Sequence, residues 1–286
     1  MSVVWRLICL SLLLVSCSTD NDPIPMEEEE EPIAGLTKEY IYISHTRTDD
    51  NSSIFNKVHD IDFSPFDLKI LGGDLANDSF ANETIIGILD DAFDLTNEKT
   101  RFSIGNHDDA TDQYFKAITN KSKYNVYQQD DVSFITLDTQ RSSGSILGNQ
   151  KIFFDTVMDT ITTKNIVILS HKLIYMVDHP VMNDLISDVS NGPMGNCSYC
   201  LGPNNFQEYV YPKLLEARGN NKEVFWIGGD LGRKRSSFEY RDGLGIQFLG
   251  NGFWYQEEEN EVLLLTKSGD EITYKFQDLD EFIADQ

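Results

Sequence analysis

From Lys38 onward the chain alternates between two hydrophobic rhythms. Short β-branched and aromatic runs bounded by Gly, Asn or Asp read as strands: EYIYIS, DLKILGG, TRFSIG, VSFITLD, NIVILS, EVFWIGG, GIQFLG, EVLLLTK and EITYKFQ. Between several of them the apolar positions follow helical spacing. Ile85, Ile86, Leu89 and Phe93 share one face, as do Tyr114, Phe115 and Ile118. Gln150 to Ile161 reads as a further helix, and Phe206 to Ala217 as another, interrupted at Pro212 and closed by Gly219. Strands alternating with helices predict an α/β fold, and the strand-rich C-terminal stretch, about fifty residues long, predicts a second sheet packed against the first.

The segment before Lys38 follows neither rhythm. Residues 1–16 carry Arg6, an apolar stretch from Leu7 to Leu14 and small residues before Cys17, the pattern of an export signal. LVSC resembles the bacterial lipobox, which implies cleavage before Cys17 and acylation of that cysteine. Residues 17–37 then form an acidic flexible tether, whose five consecutive glutamates repel one another. An acidic run directly after the cysteine also resembles the surface-export signal of Bacteroidetes lipoproteins. Residues 38–286 form the folded domain. The expected address is extracytoplasmic, as an outer-membrane or cell-surface lipoprotein of a Gram-negative bacterium. Contact with the membrane is expected through the N-terminal lipid only, because no later run is long and apolar enough to span a bilayer.

At 286 residues with 40% hydrophobic content, the chain has ample material for a buried core, and a monomer is expected. The formal net charge of -24, which becomes -25 when Arg6 leaves, would repel nucleic-acid phosphates over most of the surface. Of four cysteines, Cys9 departs with the signal and Cys17 is taken by lipid. Cys197 and Cys200, in CSYC, predict a short-loop disulfide in an oxidising compartment. A structural zinc would need two more ligands nearby, and a redox motif would need a thioredoxin-like setting.

The chemistry gathers at strand ends. YISHTR supplies His45, LGGD Asp74, SIGNHD Asn106, His107 and Asp108, VILSH His171, and WIGGD Asp230. Each alone reads as a cap or turn former. In open α/β sheets, however, sites lie beyond the carboxyl ends of strands, where distant residues meet. GGDL occurs twice, at Gly72–Leu75 and Gly228–Leu231, but nothing matches around the two copies, so they mark no internal repeat.

These motifs resemble the calcineurin-like metallophosphoesterases, whose strand ends carry D-x-H, G-D, G-N-H-D/E, H and G-H-x-H. The resemblance covers Tyr40 to about Gly232. It implies a metallo-dependent phosphatase-like four-layer αββα sandwich of two mixed β-sheets flanked by helices, with two metals bridged by the G-D aspartate and a hydroxide. Carried over, Asp74 is the bridging aspartate, Asn106 and His171 bind the second metal, and His107 stands near the leaving group. The sequence departs from the pattern twice. D-x-H becomes His45 and Arg47, and G-H-x-H becomes Asp230 and Gly232. Arg47 is always protonated and Gly232 has no side chain, so two ligands of the first metal are lost.

The surviving donors, Asp74, Asn106, His171 and Asp230, predict one tightly bound divalent ion. Three oxygens and one nitrogen favour Mn or Mg, with Fe or Zn as alternatives, and His45 with Asp74 is a candidate for a weak first site. Arg47 would replace the missing cation and orient the ester. A water on the remaining metal would attack phosphorus, and His107, paired with Asp108, would protonate the leaving oxygen. Arg233, Lys234 and Arg235 either form a solvated loop or a positive collar that recruits a phosphorylated small molecule, glycan or lipid.

Asp49 and Asp50 read as loop formers and His59 as a surface or half-buried helix residue. His179, in VDHP, precedes a proline and reads first as a loop residue, with reach into the site as the lesser alternative. Met176 to Asn205, rich in Gly, Pro and Asn, reads as a lid or specificity insertion. Two functional classes follow: a lipid-anchored metallophosphoesterase, or a catalytically impaired scaffold that binds a phosphorylated glycan or lipid at the envelope. A third, a redox protein built on CSYC, would need accessible thiols.

Overall fold

A strand that is apolar at successive positions must be covered on both faces, because alternate side chains point opposite ways. The computed structural model, which describes residues 37–286, meets this demand with two facing sheets. The first is formed, in spatial order, by Glu271–Asp278 (β11), Glu261–Ser268 (β10), Lys38–Ile43 (β1), Leu68–Leu71 (β2) and Thr100–Phe102 (β3). The second runs Asn125–Gln129 (β4), Val132–Thr136 (β5), Asn165–Ser170 (β6), Glu223–Gly228 (β7), Gln247–Asn251 (β9) and Ser237–Arg241 (β8). β1 to β3 are parallel, as are β5, β6, β7 and β9, while antiparallel strands complete both sheets. The export signal, the lipidation site Cys17 and nearly all of the tether lie outside the described residues.

Side chains sort themselves accordingly. Tyr40 and Tyr42 of β1, Val167 and Leu169 of β6, and Phe225 and Ile227 of β7 form an apolar layer between the sheets. Ile41 and Ile43 face outward, under Glu83–Phe93 (α1), Asp112–Thr119 (α2) and Leu279–Ala284 (α6). Ile166, Ile168 and Trp226 face the other way, under Gly148–Thr160 (α3), Ile186–Val189 (α4) and Tyr211–Gly219 (α5). The result is the expected αββα sandwich. The helices start where local chemistry dictates: the Asn82 side chain accepts from the backbone of Thr84 and Ile85 at the head of α1, and Thr111 accepts from Tyr114 at the head of α2. Such caps contribute about 1 kcal/mol each.

Three features differ from the sequence reading. β4 and β8 were not anticipated, because they are the outer strands of their sheet and carry the polar, half-exposed sequences NVYQQ and SFEYR. The C-terminal strands do not form a sheet of their own: β8 and β9 join the second sheet, whereas β10 pairs with β1 in the first and β11 pairs with β10 at its edge. The helix expected across Phe206–Ala217 opens as a wide π-type turn through Phe206–Val210. It becomes α-helical at Tyr211, with Pro212 in the first turn, where its missing N–H costs nothing.

Candidate metal centre and active-site cleft

The parallel strands of both sheets end at one edge, and the loops that follow β1, β2, β3, β6, β7 and β9 meet there. The glycines of the two GGDL segments make the meeting possible. A Cβ on Gly229 would lie 2.1 Å from the carbonyl oxygen of Gly72, so the backbones of the two sheets touch at this point. Gly73, at φ +95°, would bring a Cβ within 2.5 Å of the Gly105 nitrogen and 2.7 Å of His171 Nδ1. His45 and Asp74 themselves hold left-handed backbones, at φ 54° and 52°. For residues bearing a Cβ this is a strained conformation.

Asp74 and His171 meet across that contact. His171 is fully buried, and its Nδ1 donates to the Gly72 carbonyl at 2.8 Å, which points Nε2 into the cleft. Nε2 stands 3.5 Å from Asp74 Oδ1 and 3.9 Å from Asp230 Oδ1, and it has no hydrogen-bond partner among the described residues. Burial would lower the His171 pKa, but the charges of Asp74 and Asp230 and the Gly72 carbonyl overcome it and push the pKa up to about 9. Burial would raise Asp74, yet the neighbouring imidazoles, His171 foremost, hold its carboxyl below the usual range. Asp230 is pushed up by its burial against the pull of His171, and its other oxygen accepts from Ser190 Oγ and Gly192 N, both at 3.2 Å.

The geometry therefore demands a positive charge between one imidazole nitrogen and two carboxylates. Among the described residues no three His, Cys, Asp or Glu side chains close into a finished cage. Even so, donors 3.5 and 3.9 Å apart have the spacing of ligands around an ion with bonds of about 2.1 Å, which separates them by roughly 3.0 to 4.2 Å. Asn106, half-buried, lines the same cleft. The two spacings around His171 are compatible with one divalent cation.

Beside it, His45 faces a different neighbour. His45 is buried and donates through Nδ1 to the Phe253 carbonyl at 2.9 Å, leaving Nε2 as its free acceptor. Arg47 takes that acceptor with its Nε at 3.4 Å, and Asp74 Oδ2 lies 3.8 Å away. Burial, together with the Arg47 charge and against the pull of Asp74, drives the His45 pKa down to about 3. The imidazole expected to retain a weak ion is thus held neutral, the form that binds metal, with the guanidinium as its present neighbour.

Other assignments change as well. Asp108 does not pair with His107. It is fully buried and accepts from the backbone of Asp74, Leu75 and Gly105, at 2.6, 3.1 and 2.7 Å, and from the Ser79 hydroxyl. Its work is to fix the Asp74 loop to the Asn106–Asp108 turn. His107 instead places Nδ1 2.6 Å from the Asn77 carbonyl, while its backbone N–H donates to Asp74 Oδ1 at 2.9 Å. Of the proposed positive collar only Arg233 lines the cleft. Lys234 and Arg235 line a separate, acid-rich groove with Glu257, Glu259 and Glu261. His179 is spent on a turn, accepting from Val181 and Met182, and packs on Tyr240. His59 is exposed on a short helical turn, and Asp50 holds its own loop through Ser52 and Ser53.

The Met176–Asn205 insertion does reach the cleft, through Asn191, Gly192 and Tyr199. Its Cys197–Cys200 disulfide is formed. Lys172, 2% exposed, donates to the carbonyls of Ser198 and Cys200 at 2.7 and 3.0 Å and so anchors the loop that carries Tyr199. The cleft itself encloses about 140 Å³. Sequence reasoning missed Lys172, Asn77, Ser79, Ser190 and Trp254. Their roles arise from packing across the two sheets, although the Trp254 position, in NGFWYQ just past β9, follows the same strand-end rule as the others.

No family model matches the sequence, and no curated protein does. Among solved structures, a dimetal phosphatase from Danio rerio superimposes over 87% of this chain and 97% of its own, with a TM-score of 0.52 at 11% identity. A phosphopantetheinyl hydrolase from Mycobacterium tuberculosis aligns over 77% of this chain and 91% of its own, with a TM-score of 0.45 at 10% identity. By its two mixed sheets and flanking helices, this chain has the metallophosphoesterase fold.

Proposed function

We propose that the protein is a metal-dependent phosphoesterase working with a single divalent cation, Mn or Mg in first place, held by Asp74, Asn106, His171 and Asp230. The observation that carries this reading is the buried, unpartnered Nε2 of His171 facing two carboxylates. A cation bound there supplies Lewis-acid polarisation and a lowered water pKa. The chain's own residues supply the rest. Arg47, buried beside His45, presents its guanidinium to the non-bridging phosphoryl oxygens and neutralises charge that builds on them. His107, with Nδ1 held by the Asn77 carbonyl, is left with Nε2 to deliver a proton to the leaving oxygen. The Cys197–Cys200 disulfide supports an extracytoplasmic address, where lipidation at Cys17 would tether the domain and phosphorylated small molecules, glycans or lipids would be its substrates.

One observation favours a second reading, a scaffold that binds phosphorylated ligands without hydrolysing them: Arg47 engages the imidazole that a first metal would need. Metal analysis of the purified protein combined with an aryl-phosphate assay across Mn, Mg, Zn and Fe separates the two. Hydrolysis predicts one ion per chain, with His107→Ala keeping the ion and losing about 10²- to 10⁴-fold in kcat. A wild-type protein that holds its ion and turns over no mono- or diester establishes the binding reading instead.

A further inference from the structure

Two guanidiniums converge on one indole at the rim of the metal centre. The Cζ atoms of Arg47 and Arg233 lie 5.5 and 4.5 Å from the centre of the Trp254 ring. The arrangement is built from the backbone outward. A Cβ on Gly232 would stand 2.1 Å from the Phe253 carbonyl oxygen, so the chain entering Arg233 lies directly against the chain entering Trp254. Phe253 N donates to the Ser44 carbonyl, and its own carbonyl accepts from His45, which fixes the same segment to the loop bearing Arg47. Asn260 closes the turn behind the indole, accepting from Trp254 N at 2.7 Å and donating to its carbonyl at 3.2 Å.

Like charges held this close need a reason. Cation–π attraction to a shared indole offsets part of their repulsion, and it uses up none of the guanidinium N–H groups. The N–H edge of Arg233 is unspent, and that of Arg47 is spent on uncharged groups. Among the described residues no carboxylate lies within 4 Å of the Arg233 guanidinium, and its side chain makes no hydrogen bond. Arg47 donates to two neutral partners, His45 Nε2 and Asn77 Oδ1, both at 3.4 Å, and the one carboxylate it meets is Asp49, at 3.9 Å, an exposed group that also accepts from Tyr255. In a chain of net charge -24, two guanidiniums that face the same small cleft and meet a single exposed carboxylate between them mark a place kept for negative charge.

We infer that Trp254 is a positioning residue that holds Arg47 and Arg233 as a two-pronged receptor for the terminal oxygens of a phosphate monoester, making the monoester, not the diester, the substrate class of this site. A monoester presents three terminal oxygens and two charges, enough to engage a cation and both guanidiniums together. A diester presents two terminal oxygens and one charge, and its second ester group would have to occupy the space beside an arginine. The inference rests on the phosphoesterase reading for the site, but its test does not depend on turnover.

Binding of inorganic phosphate and of dimethyl phosphate to the metal-loaded protein is measured by titration calorimetry at about pH 8, above the second ionisation of a phosphate monoester near 6. Wild type, Arg233→Gln, Trp254→Leu and Trp254→Phe are compared. The Phe variant keeps a packed aromatic ring with weaker cation attraction, and Arg233 is on the surface, so the comparison survives if the Leu variant fails to fold. The expected result is phosphate binding at least about tenfold tighter than dimethyl phosphate, weakened about tenfold by Arg233→Gln and less by Trp254→Phe. With aryl substrates, the same variants should raise KM for the monoester much more than they lower kcat. Phosphate binding that depends on Trp254 and Arg233 in a protein that hydrolyses nothing would uphold the two-pronged receptor, with the monoester as ligand in place of substrate, and remove the hydrolytic reading. Hydrolysis that persists while the variants bind phosphate as wild type does, or a wild type that prefers the diester, would overturn the inference and leave the hydrolytic reading standing.

Discussion

Single side chains in this cleft act through what they leave unsatisfied or satisfy for others. Asp108 is the clearest instance: a residue whose type and position suggest catalysis is turned inward and spent on three backbone N–H groups and a hydroxyl. Asp108→Ala would strand those donors, each costing about 1–3 kcal/mol. It should therefore lower stability by at least about 3 kcal/mol in urea titration and abolish metal retention, whereas a catalytic partner of His107 would affect turnover alone. His171 makes the opposite case, an atom left without a partner. In chelated protein its raised pKa contributes stability that is complete below the ordinary imidazole value of 6.5 and is lost as pH rises through about 9. A cation competes for the place of that proton, so metal affinity should climb across the same interval. Calorimetric titration with Mn between about pH 6.5 and 9 checks this, and an affinity independent of pH would contradict it.

At the level of elements, what was legible in the sequence was what local chemistry decides. Strands ending in His45, Asp74, Asn106 and His107, His171 and Asp230 could be read because an apolar run followed by a polar ligand type lies within a few residues. Edge strands β4 and β8 could not, since their residues are half-exposed and carry no apolar rhythm. Nor could the inward turn of Asp108 or the pairing of Arg47 with His45, because these depend on which loops pack together. The two GGDL segments illustrate both sides of this division. Their aspartates were visible as strand-end groups, but the function of the glycines, letting two sheets touch, appears only when Gly229 is seen against Gly72. Gly229→Ala should force the strand ends apart, with a destabilisation of about 1–3 kcal/mol and loss of metal retention. Gly87→Ala in α1, where an added Cβ meets nothing, serves as the control and should stabilise slightly. Equal behaviour of the two variants in thermal unfolding would contradict this reading of the contact.

For the molecule as a whole, the donor set is divided between its halves. Asp74 and Asn106 follow strands of the first sheet, and His171 and Asp230 follow strands of the second. The sandwich layer between them is apolar, and an ion that binds only the docked arrangement would add to its stability by mass action. At about a thousandfold excess over its Kd the gain is about 4 kcal/mol, worth about 10 °C in a domain of this size. Scanning calorimetry before and after chelation should show that difference, and identical melting would place the ion elsewhere. With the proposed ion, the ligand split would give the protein an environmental dependence that its composition does not announce. Where trace metals are scarce it would survive heat and proteases less well, and its persistence would track the mineral supply around it.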